Sequence, residues 1–119
     1  MRDYKKLEIW IRSHELYMFV KKAIVPKFPK EEKYELASQI QRSALSISLK
    51  IVEGCGRNTD KDFAHFLDNS LGSVNEVDYC CFASSELKYI SVEDYDKVNK
   101  LVNEIRGMLI SFLKFLRKP

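Results

Sequence analysis

The chain has 119 residues, of which 45% are hydrophobic and 31% are charged. This length accommodates one hydrophobic core, so we expect a single domain over residues 1–119, and the composition excludes a disordered chain. The formal net charge of +3 is too small to indicate a dedicated nucleic-acid coat, so any electrostatic function depends on where the charges lie.

The glycine, proline and cysteine contents indicate the fold class and the cellular compartment. Only four glycines and three prolines occur, which favours a few long helices. The three cysteines are an odd number and include the adjacent pair Cys80 and Cys81, so they do not form a disulfide framework. No apolar stretch approaches the about 20 residues that span a bilayer, and the basic start MRDYKKLEIW lacks the apolar region of a signal peptide. We therefore expect a cytoplasmic protein without a membrane partner.

The first predicted helix covers residues 6–26. Its apolar positions follow the three-four spacing of one helix face, with His14 and Lys21 as polar exceptions. The expected core stripe is Leu7, Trp10, Ile11, His14, Tyr17, Met18, Lys21, Ile24 and Val25. Pro26 ends this helix, and Pro29 ahead of two glutamates predicts the start of the next one.

The second predicted helix covers residues 30–54. Its core stripe is Ala37, Ile40, Ala44, Ile47 and Ile51, flanked by Leu45, Ser48 and Val52. We expect Gly54 or Gly56 to end the helix in the left-handed conformation.

The third and fourth predicted helices cover residues 60–89 and 92–117. Thr59 with Asp62, and Ser91 with Asp94, have the spacing of capping boxes at their starts. The stripes are Phe63, Phe66, Leu67, Leu71, Val74, Val77 and Cys81, and then Tyr95, Val98, Leu101, Val102, Ile105, Met108, Leu109, Phe112 and Leu116. Short turns between four amphipathic helices predict an all-α fold, the up-down-up-down antiparallel four-helix bundle.

In such a bundle the chain start, the turn between helices two and three, and the chain end lie at one end. We call this end, with its nine bases, the basic end: Arg2, Lys5, Lys6, Lys50, Arg57, Lys61, Lys114, Arg117 and Lys118. Five acids lie there, namely Asp3, Glu8, Glu53, Asp60 and Asp62, which leaves a net charge of +4. The opposite end is balanced, and the middle carries −1.

The basic end has two interpretations. Clustered Lys and Arg bind nucleic acid by releasing its counterions, so all nine bases are candidate phosphate-binding residues. Lysine and arginine also stabilise helix C-termini, so a solvated helix end is the alternative.

Several polar side chains fall inside apolar patterns. Arg42 and Glu53 share a face of helix two but lie roughly 16 Å apart along its axis, so each needs another partner. Glu76 is expected to meet Arg42, because Gly72 and Ser73 allow close helix approach at that height. A partly buried ion pair that fixes register or an interface is favoured over a reactive site.

The alternative from another class is an enzyme or metal protein centred on Asp62, His65, Glu53 and His14. Asp62 and His65 have the acid-x-x-His spacing of bundle metal sites, but one such pair is incomplete. His14 lacks the second histidine of a zinc protease helix. We therefore expect no metal, no cofactor and no enzymatic activity.

The cysteines offer no catalytic nucleophile. Cys80 and Cys81 are expected to pack as small apolar residues. Cys55 is expected to be exposed at the end of helix two, where no neighbouring base would activate it.

The segments FPKEEKYELASQIQRSALSISLKIVEG and FAHFLDNSLGSVNEVDY resemble the four-helix bundle proteins encoded in intervening sequences of bacterial 23S ribosomal RNA genes. The resemblance spans nearly the whole chain. It rests on Leu7, Trp10, Phe28, Pro29, Glu32, Tyr34, Leu36, Gln39, Arg42, Ser46, Ile47, Glu53, Gly54, Phe66, Gly72, Ser73 and Glu76. One departure is Lys50-Ile51-Val52 where the family commonly has Asn-Ile-Ala.

The resemblance implies a homo-pentameric ring. It also implies kinship with the accessory variability determinant of diversity-generating retroelements, a ring that binds nucleic acid and a reverse transcriptase. The expected partners are therefore further copies of the chain, RNA or DNA, and a reverse transcriptase, with a protein-protein adaptor as the alternative function.

Four residues shared with that family, Gln39, Arg42, Glu53 and Glu76, are assigned to a structural polar cluster or an interface. Glu53 is expected to accept from N–H groups of helix three or from Arg57, while Lys50 and Arg57 face a partner.

Overall fold

A computed structural model describes residues 2–119 and contains four long α-helices. They are α1 (Glu8–Phe19), α2 (Leu36–Cys55), α3 (Asp60–Glu86) and α4 (Val92–Leu116). None of the described residues forms a β-strand. The molecule measures 47 × 22 × 20 Å, and this elongated shape fits long helices that lie side by side.

The starts of α3 and α4 confirm the predicted caps. The Thr59 hydroxyl accepts from the Asp62 N–H at 3.1 Å, and the Ser91 hydroxyl accepts from the Asp94 N–H at 3.1 Å. The end of α3 comes three residues earlier than predicted, since Lys88 adopts a φ of 63° and turns the chain towards α4.

The first predicted helix is divided, and its predicted core stripe was mostly wrong, since Ile24 is its only buried member. A 3₁₀ turn over Tyr4–Lys6 precedes α1, and a π turn (Val20–Ile24) and a second 3₁₀ turn (Val25–Lys27) follow it. The buried side chains of this stretch are Ile9, Ser13, Leu16, Val20 and Ile24. The predicted stripe residues Trp10 and Tyr17 are only half-buried, and His14 is exposed. Adjacent rows of this helix are both apolar, so periodicity alone does not identify the buried row.

The start of α2 comes six residues later than predicted. Residues Lys30–Glu32 form a separate 3₁₀ turn, and Glu35 has the non-helical angles φ −118° and ψ −103°. The Glu32 carboxylate accepts from the Leu36 N–H at 3.3 Å and from the Tyr89 hydroxyl at 2.9 Å, so a distant contact fixes this helix start.

The body and the end of α2 differ in how well they were predicted. All five residues of the predicted core stripe are buried. The helix ends without a left-handed glycine, because Gly56 has a φ of −83° and no glycine has a positive φ. The expected conformational function of Gly54 and Gly56 is therefore wrong.

Each helix packs on two neighbours. Within residues 2–119, α1 contacts α2 and α4, α3 contacts α2 and α4, and α1 does not touch α3. Hydrogen bonds across the α2–α3 contact pair Gln39 with Glu76, Ser46 with Ser73, and Ile47 with Ser70. The four helices therefore create four outer faces, each lying between two neighbouring helices.

A pair of buried serines joins α1 to α2. The Ser13 and Ser48 hydroxyl oxygens are 2.9 Å apart. Ser13 donates its hydrogen to the Trp10 carbonyl at 2.8 Å, so Ser48 must donate to Ser13.

Candidate nucleic-acid interface

The N-terminal segment lies across one end of the helices. The Arg2 N–H donates to the Cys55 carbonyl at 3.0 Å, and the Arg2 guanidinium lies 3.4 Å from the Asp60 carboxylate. The same guanidinium sits 4.7 Å from the ring centre of Phe63 and 5.9 Å from that of Phe112. These contacts bring the chain start, the end of α2, the start of α3 and the last turns of α4 together, and they engage Arg2 within the fold.

The backbones of α2 and α3 approach closely at Gly54. A Cβ added there would lie 2.6 Å from Cδ1 of Phe63 and 3.1 Å from Cβ of Phe66. Phe66 is itself flanked by cations, with the Arg57 guanidinium 4.6 Å and the Lys50 ammonium 6.0 Å from its ring centre. The aromatic ring attracts both cations and holds them beside the α2–α3 turn.

The partner expected for Glu53 was wrong. Its carboxylate lies 3.9 Å from the Lys50 ammonium, one turn earlier on the same helix. Within residues 2–119 it accepts no hydrogen bond from α3 or from Arg57. The physical reason is that Lys50 and Glu53 share an exposed face at (i, i+3) spacing.

An ion pair between α3 and α4 corrects the charge map. Both terminal N–H groups of Arg117 donate hydrogen bonds to the Asp68 carboxylate, one of them at 3.0 Å. The hydrogen bond with Asp68 raises the pKa of Arg117, which stays charged. Because Asp68 therefore belongs to the basic end, nine bases and six acids lie there and the net charge is +3.

Arg2, Lys50 and Arg117 each have a carboxylate partner, and the other six predicted cations do not. These six are exposed and form no ion pair within residues 2–119: Lys5, Lys6, Arg57, Lys61, Lys114 and Lys118. Exposed cations of this kind can contact phosphates, whereas nothing in their arrangement selects a base edge.

Bases and acids balance at the opposite end, although five of its exposed lysines form no ion pair within residues 2–119: Lys21, Lys22, Lys30, Lys33 and Lys88. Lys27, in the second 3₁₀ turn after α1, forms an ion pair with Asp94 in the first turn of α4. The Tyr89 hydroxyl donates to Glu32, and this hydrogen bond raises the pKa of Tyr89. This end therefore supplies a matched control for the basic end.

The polar cluster between α2 and α3 differs from the predicted ion pair. The Gln39 amide donates to the Glu76 carboxylate at 2.9 Å, and the Ser43 hydroxyl donates to the same oxygen at 3.1 Å. Arg42 is exposed and makes no ion pair within the described part of the chain, so the expected pair with Glu76 was wrong. Arg42 lines the same α2–α3 groove without bonding Glu76, whose carboxylate already accepts from Gln39 and Ser43.

The residues of the metal-protein alternative do not assemble. The His14 ring stacks on Trp10 at 5.0 Å with 7° between the planes, and His65 lies edge-on to Phe66. Across residues 2–119, no group of three or more His, Cys, Asp or Glu side chains is placed to hold a metal ion, including Asp62 and Glu53.

All three cysteines are buried free thiols. The predicted exposure of Cys55 was wrong, because Arg2 and the N-terminal segment cover it and leave 4% of it exposed. Burial raises the pKa of Cys55 despite the nearby Arg2, and it raises the pKa of Cys81 to about 12. Thiols in this state are poor nucleophiles.

Sequence reasoning missed two apolar grooves that flank α1. The α4–α1 groove, of about 740 Å³, is lined by Leu7, Ile9, Gly107, Met108, Phe112 and Phe115, with Glu8 and Glu104 also in its wall. The α1–α2 groove, of about 290 Å³, is lined by Trp10, His14, Tyr17, Leu45, Leu49 and Val52. The signal was present in the double apolar row of α1, which was read as a single core stripe.

In the described part of the chain, none of the helices combines the length and the apolar character that crossing a bilayer requires.

Comparisons with known proteins identify relatives of this fold. A crystal structure of a protein of unknown function from the S23 ribosomal protein family of Bacteroides thetaiotaomicron VPI-5482 is similar, with a TM-score of 0.82 and 28% identity. That similarity covers 89% of this chain and 98% of the other. No curated protein matches significantly. The profile of the 23S rRNA-intervening sequence proteins matches residues 5–111, and the chain therefore belongs to that family.

Proposed function

We propose that the protein is a non-enzymatic, self-associating four-helix bundle that binds RNA or DNA through phosphates at its basic end. The observation that carries the proposal is the group of six exposed cations without carboxylate partners at that end. Such cations gain free energy by replacing the counterions of a nucleic acid. The opposite end also has exposed lysines without an ion pair, but an equal number of acids cancels the charge of its bases, so the net positive charge lies at the basic end.

The up-down-up-down order of the helices underlies this arrangement. Across α3 and α4, Arg106 bonds Asp78 at 2.7 Å and Arg117 bonds Asp68. The later residue on α4 therefore meets the earlier residue on α3, as in antiparallel helices. The inverse order of the α2–α3 hydrogen bonds gives the same support. Antiparallel neighbours bring the two chain termini and the α2–α3 turn to one end.

Self-association would multiply the charge of this end. In a ring of five parallel copies, as the family resemblance implies, five clusters of +3 would share one rim. Exposed charges beyond about 10 Å are screened at ordinary salt, so a ligand must span several copies to gain from them. The expected ligand is a nucleic acid longer than one subunit, bound without sequence preference.

Salt dependence tests the proposal directly. For an oligonucleotide short enough to contact one subunit, whose six cations replace about six counterions, the affinity should fall about 300-fold for a single strand, and about 2000-fold for a duplex, between 50 and 200 mM salt. Fluorescence anisotropy with labelled mixed-sequence oligonucleotides measures this. The test variant replaces Arg57, Lys61 and Lys114 by glutamine, since these cations are exposed and unpaired.

A matched control replaces Lys27, Lys30 and Lys33 by glutamine, which removes the same charge from the opposite end. The test variant should keep only about a 20- to 40-fold salt effect, because half of the counterion release is lost. The control should behave as the wild type. Equal binding by the two triple variants, or no salt-dependent binding by the wild type, would show that the cluster is a solvated helix end.

A further inference from the structure

The α2–α3 turn carries an arginine that lies on an aromatic ring. The guanidinium carbon of Arg57 is 4.6 Å from the ring centre of Phe66, which is half-buried in the second turn of α3. Arg57 itself is exposed, and within residues 2–119 its side chain forms no hydrogen bond and no ion pair. One side of the guanidinium is therefore held against a ring, while its other side and its N–H donors are open to solvent.

This arrangement distinguishes Arg57 from the other cations of the basic end. The other five cations without a carboxylate partner are lysines, whose ammonium group is a point charge. The other two arginines there are engaged, Arg2 with Asp60 and Arg117 with Asp68. Among residues 2–119, Arg57 is thus the one cation of this end that offers a planar guanidinium with unoccupied donors.

The Phe66 ring also restricts the Arg57 side chain before any ligand arrives. The ring attracts the cation, so less side-chain entropy is lost when the guanidinium binds a further group. The backbone supports the same placement, because the Arg57 N–H donates to the Gly54 carbonyl at 3.0 Å. The guanidinium is therefore a partly preorganised surface at the turn.

We propose that the solvent side of the Arg57 guanidinium stacks on an unpaired base, which makes a single-stranded nucleic acid the ligand of the basic end. This inference rests on the proposed nucleic-acid binding and specifies its ligand. Guanidinium planes stack on bases that are splayed out, whereas a duplex covers the faces of its bases with neighbouring bases. Because every base has a π face, such a contact adds affinity without sequence preference.

The charges around Arg57 leave its own charge available to a strand. Two of the three acids at the end of α2 and in the first turn of α3, Glu53 and Asp60, have cation partners. Lys61, exposed and without an ion pair in residues 2–119, offsets the third acid, Asp62. A phosphate beside the stacked base therefore meets a net positive surface.

An abasic oligonucleotide separates stacking from phosphate contacts, because it keeps the phosphates and lacks the bases. Fluorescence anisotropy at one low salt concentration compares a normal and an abasic strand, both short enough to contact one subunit. The test variant is Arg57→Lys, which keeps the charge and removes the plane. Arg42→Lys is the matched control, since Arg42 is also exposed and forms no ion pair in residues 2–119 but lies outside the basic end.

The wild type and Arg42→Lys should bind the normal strand about 5- to 10-fold more tightly than the abasic strand, the lower part of what a stacked base contributes. In Arg57→Lys this ratio should fall close to one, because only phosphate contacts are left. The same variant should weaken binding of the normal strand more than binding of a duplex of equal length.

The outcomes separate this inference from the proposed function. A wild type that binds neither strand would overturn the proposed function, and the stacking contact with it. Equal affinity of the wild type for both strands, or an unchanged ratio in Arg57→Lys, would overturn stacking and leave binding through phosphates. An equal loss for strand and duplex would identify Arg57 as a phosphate contact, and loss of the ratio in both lysine variants would remove the assignment to Arg57.

Discussion

Gly54→Ala should destabilise the protein, although alanine is the better helix former. In an unconstrained helix the change gains about 1 kcal/mol. Here the new methyl group would lie 2.6 Å from Cδ1 and 3.0 Å from Cε1 of Phe63. Contacts this short require Phe63 or the helix backbone to move.

The surroundings of Phe63 set the magnitude. Its ring is fully buried, packs edge-on against Phe112 at 5.4 Å, and lies under the Arg2 guanidinium. Overpacking a core of this kind costs about 1–3 kcal/mol. Taking the upper part of that range and subtracting the helix gain leaves a net loss of about 1–2 kcal/mol. For a chain of this length, that corresponds to a fall in Tm of about 4–8 °C.

The matched control adds the same methyl group where space is open. Gly72→Ala lies inside α3 with nothing within 4 Å, so it should raise the free energy of unfolding by about 0.5–1 kcal/mol. Urea and thermal unfolding at one fixed protein concentration measure both, because the proposed self-association would make stability depend on concentration. The double variant Gly54→Ala/Phe63→Leu should cost less than the sum of its single changes. A Gly54→Ala protein as stable as the wild type would refute the steric argument.

Two further predictions concern buried polar groups. Ser13→Ala should cost about 1–2 kcal/mol in urea unfolding because it orphans the Ser48 hydroxyl, whereas Ser48→Ala should cost less because Ser13 still donates to the Trp10 carbonyl; equal costs would contradict this bonding order. Burial raises the pKa of Cys81 to about 12, so the stability that its neutral thiol contributes should be present below pH 9 and lost progressively between pH 9 and 12, as the unfolded thiol ionises first. The decline in the free energy of unfolding from pH 8 to pH 10 should be smaller in Cys81→Ala than in the wild type. An equal decline in both proteins would contradict the assignment of this pH dependence to Cys81.

Helix starts that depend on local hydrogen bonds were predicted from the sequence, and the helix start that depends on a distant contact was not. The starts of α3 and α4 depend on Thr59 and Ser91, whose hydroxyls bond N–H groups three residues later, so the sequence contains the whole interaction. The start of α2 depends on Glu32, which also bonds Tyr89 from the α3–α4 connection. A contact between residues 57 positions apart is invisible to periodicity, and the predicted start was six residues early.

In the candidate site, the approximate position of a residue can be predicted from the sequence, whereas its side-chain partner cannot. The list of cations at the basic end rests on residue type and on approximate height along the helices, and it stays a prediction. Pairing depends on the rotation and register of neighbouring helices. Arg117 therefore meets Asp68, and Glu76 meets Gln39 rather than Arg42, by contacts that only packing reveals.

The error on α1 is physically informative. Hydrophobic periodicity detects which side chains avoid water, and it does not tell whether the same chain or another copy covers them. In α1 the row with Ile9, Leu16 and Val20 is fully covered, while the row with Trp10 and Tyr17 is only half-covered. Trp10 and Tyr17 still pack against the core, so the predicted stripe followed the half-covered row rather than the buried one.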